Sequence, residues 1–339
     1  MCLTARPGRC RSSRLPNREK GETMIRNTSG YQKIVVKPVS GHVGSEIEGV
    51  DLSKPLDDET YAELRRAWLE AGVLFFRNQS MTPDSMEAVG ARFGKLTITP
   101  YANSVQGYKF AHTIARAAEA RPGERNYGDS WHMDQTVREI PNAGFALYAK
   151  TVPAFGGDTG FSSLYAAYEF LSPGMKKLCE SLVAVHSPSG LFGRDGMGGP
   201  GKKPFLLRGS DTTYSGMTPE KVRAYMAQET LHPLVCEHPE TGRKLICITG
   251  YVIRFDGMDE EESQPIINYL TQHVVRPEFT CRQRWQPGSM AIIDNRCLQH
   301  IAYQDYAGQG REMLRIEWEG DVRPFGPAMP RLRAQAAAE

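Results

Sequence analysis

The sequence lacks a long apolar run, a paired-cysteine motif and a strong net charge, and each absence removes a class of function. No stretch approaches the roughly 20 apolar residues that span a bilayer, and the arginine-rich start has no apolar signal segment. No membrane partner and a cytoplasmic address are therefore expected. The seven cysteines, Cys2, Cys10, Cys179, Cys236, Cys247, Cys281 and Cys297, are scattered and never spaced as CxxC. That pattern fits free thiols in a reducing compartment and argues against a disulfide framework or a cysteine-bound zinc. A formal net charge of +2 is not the footprint of a nucleic-acid binder.

The positive balance sits in the first 23 residues, where Arg6, Arg9, Arg11, Arg14, Arg18 and Lys20 face only Glu19 and Glu22, a local +4 that leaves −2 on the rest. This segment (1–23) reads as a basic disordered tail, or as residues ahead of a functional start at Met24. What is present otherwise is ordinary for a soluble globular chain: 339 residues, 40% hydrophobic and 24% charged, enough to bury a sizeable core. One domain is expected over 24–325, with a loose C-terminal tail over 326–339. The glycine- and lysine-rich stretch 188–216 reads as a lid loop. It contains GxGxxG by letter at Gly196, Gly198 and Gly201, but Pro200 and Lys202-Lys203-Pro204 cannot open the helix that a dinucleotide site requires.

Periodicity predicts short strands with glycine turns over Gln32–Asp51, a helix over Asp58–Gly72, a strand at Val73–Phe76, and a second helix entered through Thr82-Pro83. Strands follow at Asn142–Lys150 and Gly160–Ser163, then a helix over Leu164–Leu171 stopped by Ser172-Pro173. A hairpin is predicted where Val235–His238 and Lys244–Thr249 flank Pro239-Glu240-Thr241-Gly242. A helix within Asp259–His273 and strands at Met290–Ile293 and Glu312–Glu319 complete the pattern. Many strands without regular strand-helix alternation point to a mainly β sandwich or barrel with flanking helices.

The sharpest chemical feature is Trp131-His132-Met133-Asp134. On an extended segment, a histidine and an aspartate two apart share a face and can take adjacent positions around a metal. A second histidine would complete the two-histidine, one-carboxylate facial set of non-haem iron(II), and His300 is the candidate. Eleven residues later stands Arg311, with Arg315 four beyond it. Period two puts Arg311, Met313, Arg315 and Glu317 on one face and Leu314, Ile316 and Trp318 on the other. Two planar guanidinium forks suit carboxylates or other oxyanions. The bland alternative is a solvent-facing edge strand. Gly156-Gly157-Asp158-Thr159 is a tight turn ending in a hydroxyl that could help hold an arginine-bound carboxylate.

These residues resemble the taurine dioxygenase and phenoxyalkanoate dioxygenase group of 2-oxoglutarate enzymes. The likeness runs from about Val35 to Phe325 through Gly44–Asp51, Phe93-Gly94, the His132/Asp134 motif, Gly156–Thr159, Asp294-Asn295-Arg296, His300, Arg311 and Arg315. It implies a double-stranded β-helix (jelly-roll, cupin-like) core, Fe(II) at His132, Asp134 and His300, and 2-oxoglutarate bound through Arg311 and Thr159, with Arg315 near co-substrate and substrate. With O2, oxidative decarboxylation would give succinate and carbon dioxide while the substrate, a small organic anion, is hydroxylated. Asp134 argues against halogenation, because halogenases of this type have a small residue there. Thr97-Ile98-Thr99 stands where taurine dioxygenases carry a sulfonate-binding histidine, and the run Gly156–Pro173 with Val185-His186-Ser187 looks closer to the phenoxypropionate branch. An aryloxyalkanoate is therefore favoured over an alkyl sulfonate or sulfate ester. Thr99, Tyr101, Asn103, Gln135 and Arg315 are the substrate candidates, with Tyr251 and Arg254 near the same region. A homo-oligomer is expected. The rival readings are a non-catalytic anion-binding barrel and a metal-dependent hydrolase.

Overall fold

The computed structural model describes residues 28–99, 104–118, 128–192, 219–306 and 308–331. The expected elements form, and their ends follow from local chemistry. A hairpin of β1 (Val35–Pro38) and β2 (Ser45–Glu48) leads to α1 (Asp58–Ala71). Asp57 caps α1 by accepting from the Thr60 amide, a contact worth about 1 kcal/mol. The helix stops at Gly72, where φ is 73° and a Cβ would lie 2.9 Å from Leu298. Strand β3 (Val73–Phe76) follows, then α2 (Pro83–Phe93), which opens with a capping box at Thr82 and Pro83 in its first turn.

Beyond them come β4 (Leu96–Thr97), β5 (His112–Arg116), β6 (Gly144–Thr151), β7 (Thr159–Ser163) and α3 (Leu164–Glu169). Ser172-Pro173 does more than stop a helix: Ser172 caps α4 (Pro173–Ser181), with Pro173 at a position where the missing N–H has no partner to lose. The chain continues through β8 (Val183–His186), α5 (Pro188–Phe192), α6 (Pro219–Met226), β9 (Thr230–Pro233), the expected hairpin of β10 (Val235–Glu237) and β11 (Lys244–Ile246), and β12 (Val252–Phe255). Last are α7 (Glu260–Val274), β13 (Thr280–Gln283), β14 (Met290–Asp294), β15 (Leu298–Ala302) and β16 (Arg311–Trp318).

The large sheet runs β1-β2-β3-β14-β6-β16-β4, with β5 also on β16, and is antiparallel except at β2–β3. A smaller sheet, β13-β7-β15, covers its inner face: Phe75 of β3 meets Phe161 of β7 at 5.6 Å, and Phe145 of β6 meets the His300 ring of β15 at 5.1 Å. Two sheets closed on one another give the jelly-roll core. On the outer face Leu74, Ile292, Leu314 and Ile316 pack under α1 and α2. There the Trp318 ring sits 6.1 Å from Trp68 and 5.6 Å from Phe93. Strand β16 is thus buried on both faces between β6 and the β4/β5 edge, which replaces the solvent-facing alternative. No described helix is long and apolar enough to cross a membrane.

Of the expected lid, Pro188–Phe192 forms α5 and residues 193–216 lie outside the described residues, as do the tail 1–23, Tyr101 and Asn103. In the C-terminal segment, Gly326 and Met329 exchange backbone hydrogen bonds, and the Phe325 carbonyl accepts from the Glu237 amide at 2.8 Å.

Candidate metal centre

His132, Asp134 and His300 come together, all three buried, with one ligand atom from each within 4.8 Å of the others. The local backbone differs from the fully extended segment expected. Only His132 is strand-like, joining the edge of β15: its amide donates to the His300 carbonyl at 3.1 Å, and the His300 amide donates back at 2.9 Å. Asp134 instead begins a turn whose next residue, Gln135, has a φ of 56°. That left-handed conformation costs a non-glycine residue on the order of 1 kcal/mol, so the surroundings must impose it.

Asn295 does much of that. Its Oδ1 accepts from the Asp134 amide at 2.8 Å, and its Nδ2 donates to the Asp134 carbonyl at 3.0 Å and to the Asn142 carbonyl at 2.9 Å. Asn295 follows Asp294 at the end of β14. There the buried Asp294 carboxylate takes the Arg296 Nε and Nη2 groups, each at 2.8 Å, and His238 Nε2 at 3.1 Å. Burial opposes charge on Asp294, but Arg296 and His238 hold its carboxyl well below the usual range.

Ring nitrogens are set for ligation. His132 Nδ1 lies 2.7 Å from the Ser130 carbonyl, which makes it the protonated nitrogen and leaves Nε2 as a lone-pair donor, 3.4 Å from Asp134 Oδ1. His300 Nε2 is 3.9 Å from Asp134 Oδ2. Burial, then the neighbouring His132, pushes His300 down to about 3, so its imidazole is neutral. Burial works against the charge on Asp134 too, yet Arg315, His300 and His132 hold its carboxyl well below 3.8. Asp134 Oδ1 is buried without a hydrogen-bond partner. Two imidazoles and a carboxylate with an unsatisfied oxygen fit a divalent iron ion.

The arginines share the predicted face but differ in environment. Arg311 is 9% exposed, makes no ion pair among the described residues, and leaves its buried Nε unpartnered. Burial pulls its pKa below the ordinary arginine value. Such a guanidinium is a prepared seat for a carboxylate. Thr159, at the start of β7, accepts from Trp285 Nε1 at 2.9 Å, so its own hydroxyl hydrogen remains to be donated. Its turn is fixed by Gly156 and Gly157, with φ of 71° and 69°, and by the Gly157 amide donating to Asp305 Oδ1 at 2.8 Å.

Arg315, by contrast, has anionic neighbours. Its Nη2 donates to Asp134 Oδ2, its Nε lies 2.8 Å from Glu317 Oε1, and its guanidinium stacks 4.0 Å over Phe145. Gln135 Nε2 donates to Glu317 Oε2 at 3.0 Å and its Oε1 accepts from Arg138 at 2.9 Å. Thr99 lies half-buried beside Glu317. Tyr251 is buried, and Arg254 pairs with Glu229 at 2.7 Å.

A family model described as "Taurine catabolism dioxygenase TauD, TfdA family" matches residues 36–316. The chain belongs to the TauD/TfdA dioxygenase family. It is 34% identical over 303 residues to an alkylsulfatase of Acinetobacter baylyi, covering 88% of this chain and 89% of that one. It is 30% identical to an (S)-phenoxypropionate/alpha-ketoglutarate-dioxygenase of Sphingobium herbicidovorans, covering 84% and 95% respectively. The crystal structure of a taurine dioxygenase from Burkholderia xenovorans superposes with a TM-score of 0.71 at 31% identity, over 89% of this chain and 97% of that one. Family and site agree on a non-haem iron dioxygenase whose cofactors are iron(II), 2-oxoglutarate and O2.

Sequence reasoning left four groups of this TauD/TfdA site without a role. Asn295 was visible only as part of a motif, Glu317 only as a position on the arginine face. Trp285 and Phe145 gave no signal, because their contacts join segments distant in sequence. His112 is buried directly across β5–β16 from Arg315; burial, then the Arg315 charge, drives its imidazole down to about 3.

Proposed function

We propose that this enzyme hydroxylates a small, singly charged organic anion, with iron(II) held by His132, Asp134 and His300, the distal carboxylate of 2-oxoglutarate held by Arg311 and Thr159, and the substrate head group held near Arg315. The observation that carries the reading is Arg311, a buried cation without an ion pair among the described residues, on the same strand face as the arginine that touches a metal-site carboxylate. When bound, iron, 2-oxoglutarate and O2 supply the oxidising chemistry, with succinate and carbon dioxide as the products of the oxoacid.

The protein's part is positional. Ser130 fixes the His132 tautomer, and Asn295 holds the Asp134 backbone in its turn. Phe145 walls the space between Arg315 and His300 and keeps water from both. Arg311 and Thr159 would fix one end of the oxoacid so that its other end meets the metal ligands.

Two head groups are supported by different observations. The sequence run after Gly156 favours an aryloxyalkanoate carboxylate; the higher identity to an alkylsulfatase, 34% against 30% for the phenoxypropionate enzyme, favours a sulfate ester. Succinate release and oxygen consumption, measured with phenoxypropionates, alkyl sulfates and alkyl sulfonates, test the proposal. Substrate-dependent succinate from at least one of these acids is expected. Oxygen uptake and succinate that no anionic substrate raises above the uncoupled background would contradict it.

A further inference from the structure

Glu317 is the one acidic side chain on the inner face of β16, 2% exposed and two residues from Arg315. Its polar contacts are with donors. Gln135 Nε2 at 3.0 Å and Asn142 Nδ2 donate to Oε2, while Arg315 Nε lies 2.8 Å from Oε1. Burial pushes the Glu317 carboxyl up from its ordinary range and Arg315 opposes that; a protonated carboxyl would bring a hydrogen against one of these donors, so the contacts themselves suit the ionised form. The contacts also close a ring: Asp134 to Arg315, Arg315 to Glu317, Glu317 to Asn142, Asn142 to Asn295, and Asn295 back to the Asp134 amide. Glu317 therefore ties the arginine to the backbone of a metal-site residue.

The charge consequence is specific. Arg311 is the seat for the oxoacid, which leaves Arg315 as the cation for a substrate head group, and Glu317 already balances that cation at contact distance. Glu317 lies at the Nε edge of the guanidinium while Asp134 takes Nη2, so two carboxylates already face this cation. A head group carrying a second negative charge would meet no further cation on this strand face and would lie near a buried carboxylate, where like-charge repulsion is weakly screened.

We propose that Glu317 is a specificity-determining positioning residue that restricts the head-group subsite to singly charged anions and rejects doubly charged isosteres. The inference rests on the reading of Arg315 as the substrate anchor. Alkyl sulfate and alkyl phosphate monoesters make the cleanest comparison, because they share a tetrahedral shape while the phosphate carries a charge of about −1.5 to −2 at pH 7.

The test is anaerobic calorimetric binding to protein loaded with iron(II) and 2-oxoglutarate, using hexyl sulfate against hexyl phosphate and 2-phenoxypropionate against phenoxymalonate. Wild-type protein should prefer each singly charged ligand at least tenfold, and Glu317→Gln should lose most of that preference while retaining its 2-oxoglutarate affinity and circular dichroism. Glu317→Leu provides a second variant should the amide disturb the ring of hydrogen bonds. Absence of the preference in wild type, or the same preference in a folded variant, overturns the role of Glu317. Failure of all singly charged ligands to bind a protein that still takes up 2-oxoglutarate would instead remove the anion-binding reading, and the proposal with it.

Discussion

Arg311 and Arg315 stand four apart on one strand face, yet their environments assign them different tasks. Arg315 has Asp134 and Glu317 beside it and the Phe145 ring beneath it, so its position is fixed before any guest arrives. Arg311 is equally out of water but without an ion pair among the described residues, an arrangement that is costly unless a ligand completes it. Arg311→Ala should therefore weaken 2-oxoglutarate binding roughly 100-fold, in line with the loss of a charge-assisted contact of about 1.5–3 kcal/mol. Titration of 2-oxoglutarate into the iron-loaded variant checks this, and wild-type affinity would remove Arg311 from the co-substrate site. Both arginines were legible from period two alone. The different roles were not, because Glu317, Gln135 and Asn142 meet only in the fold.

At the scale of elements, the turn between β14 and β15 is the part on which the site depends most. Asp294 anchors it through Arg296 and His238, and Asn295 reaches from it to the Asp134 backbone. Asp294→Ala leaves Arg296, itself largely buried, without its main counter-ion and should destabilise the fold by roughly 3–5 kcal/mol in urea unfolding. The pH dependence has a definite sign. Because the folded carboxyl titrates below its ordinary value of 3.8, its stabilisation is fully present above about pH 5 and is lost as the pH falls through 3.8 towards the folded pKa. The variant should accordingly show a flatter acid limb, and an unchanged limb would mean that the network contributes little. The sequence announced this turn as Asp-Asn-Arg but not its function, since the partners His238, Glu240 and Asp134 lie on other loops.

Across the whole molecule, the strands with strong alternation or apolar runs, β3, β6, β7, β14 and β16, and the capped helices α1, α2 and α7 were readable from pattern and end signals. The less regular strands were not: β5, β8, β12 and β13 owe their conformation to pairing with distant partners, not to an internal period. The metal triad was legible as a set of ligand types, but the turn at Asp134 was not, because a positive φ at Gln135 is imposed by tertiary contacts. The central claim is that this jelly roll brings His132, Asp134 and His300 to one iron ion next to an arginine seat for the oxoacid. An anaerobic visible spectrum of the purified apoprotein after adding iron(II) and 2-oxoglutarate, run beside Asp134→Ala and a zinc control, tests it most directly. The account predicts a weak charge-transfer band that requires iron, the oxoacid and Asp134 together. A folded protein that binds both ligands yet shows no such band, or an Asp134→Ala variant that shows it undiminished, would contradict the account.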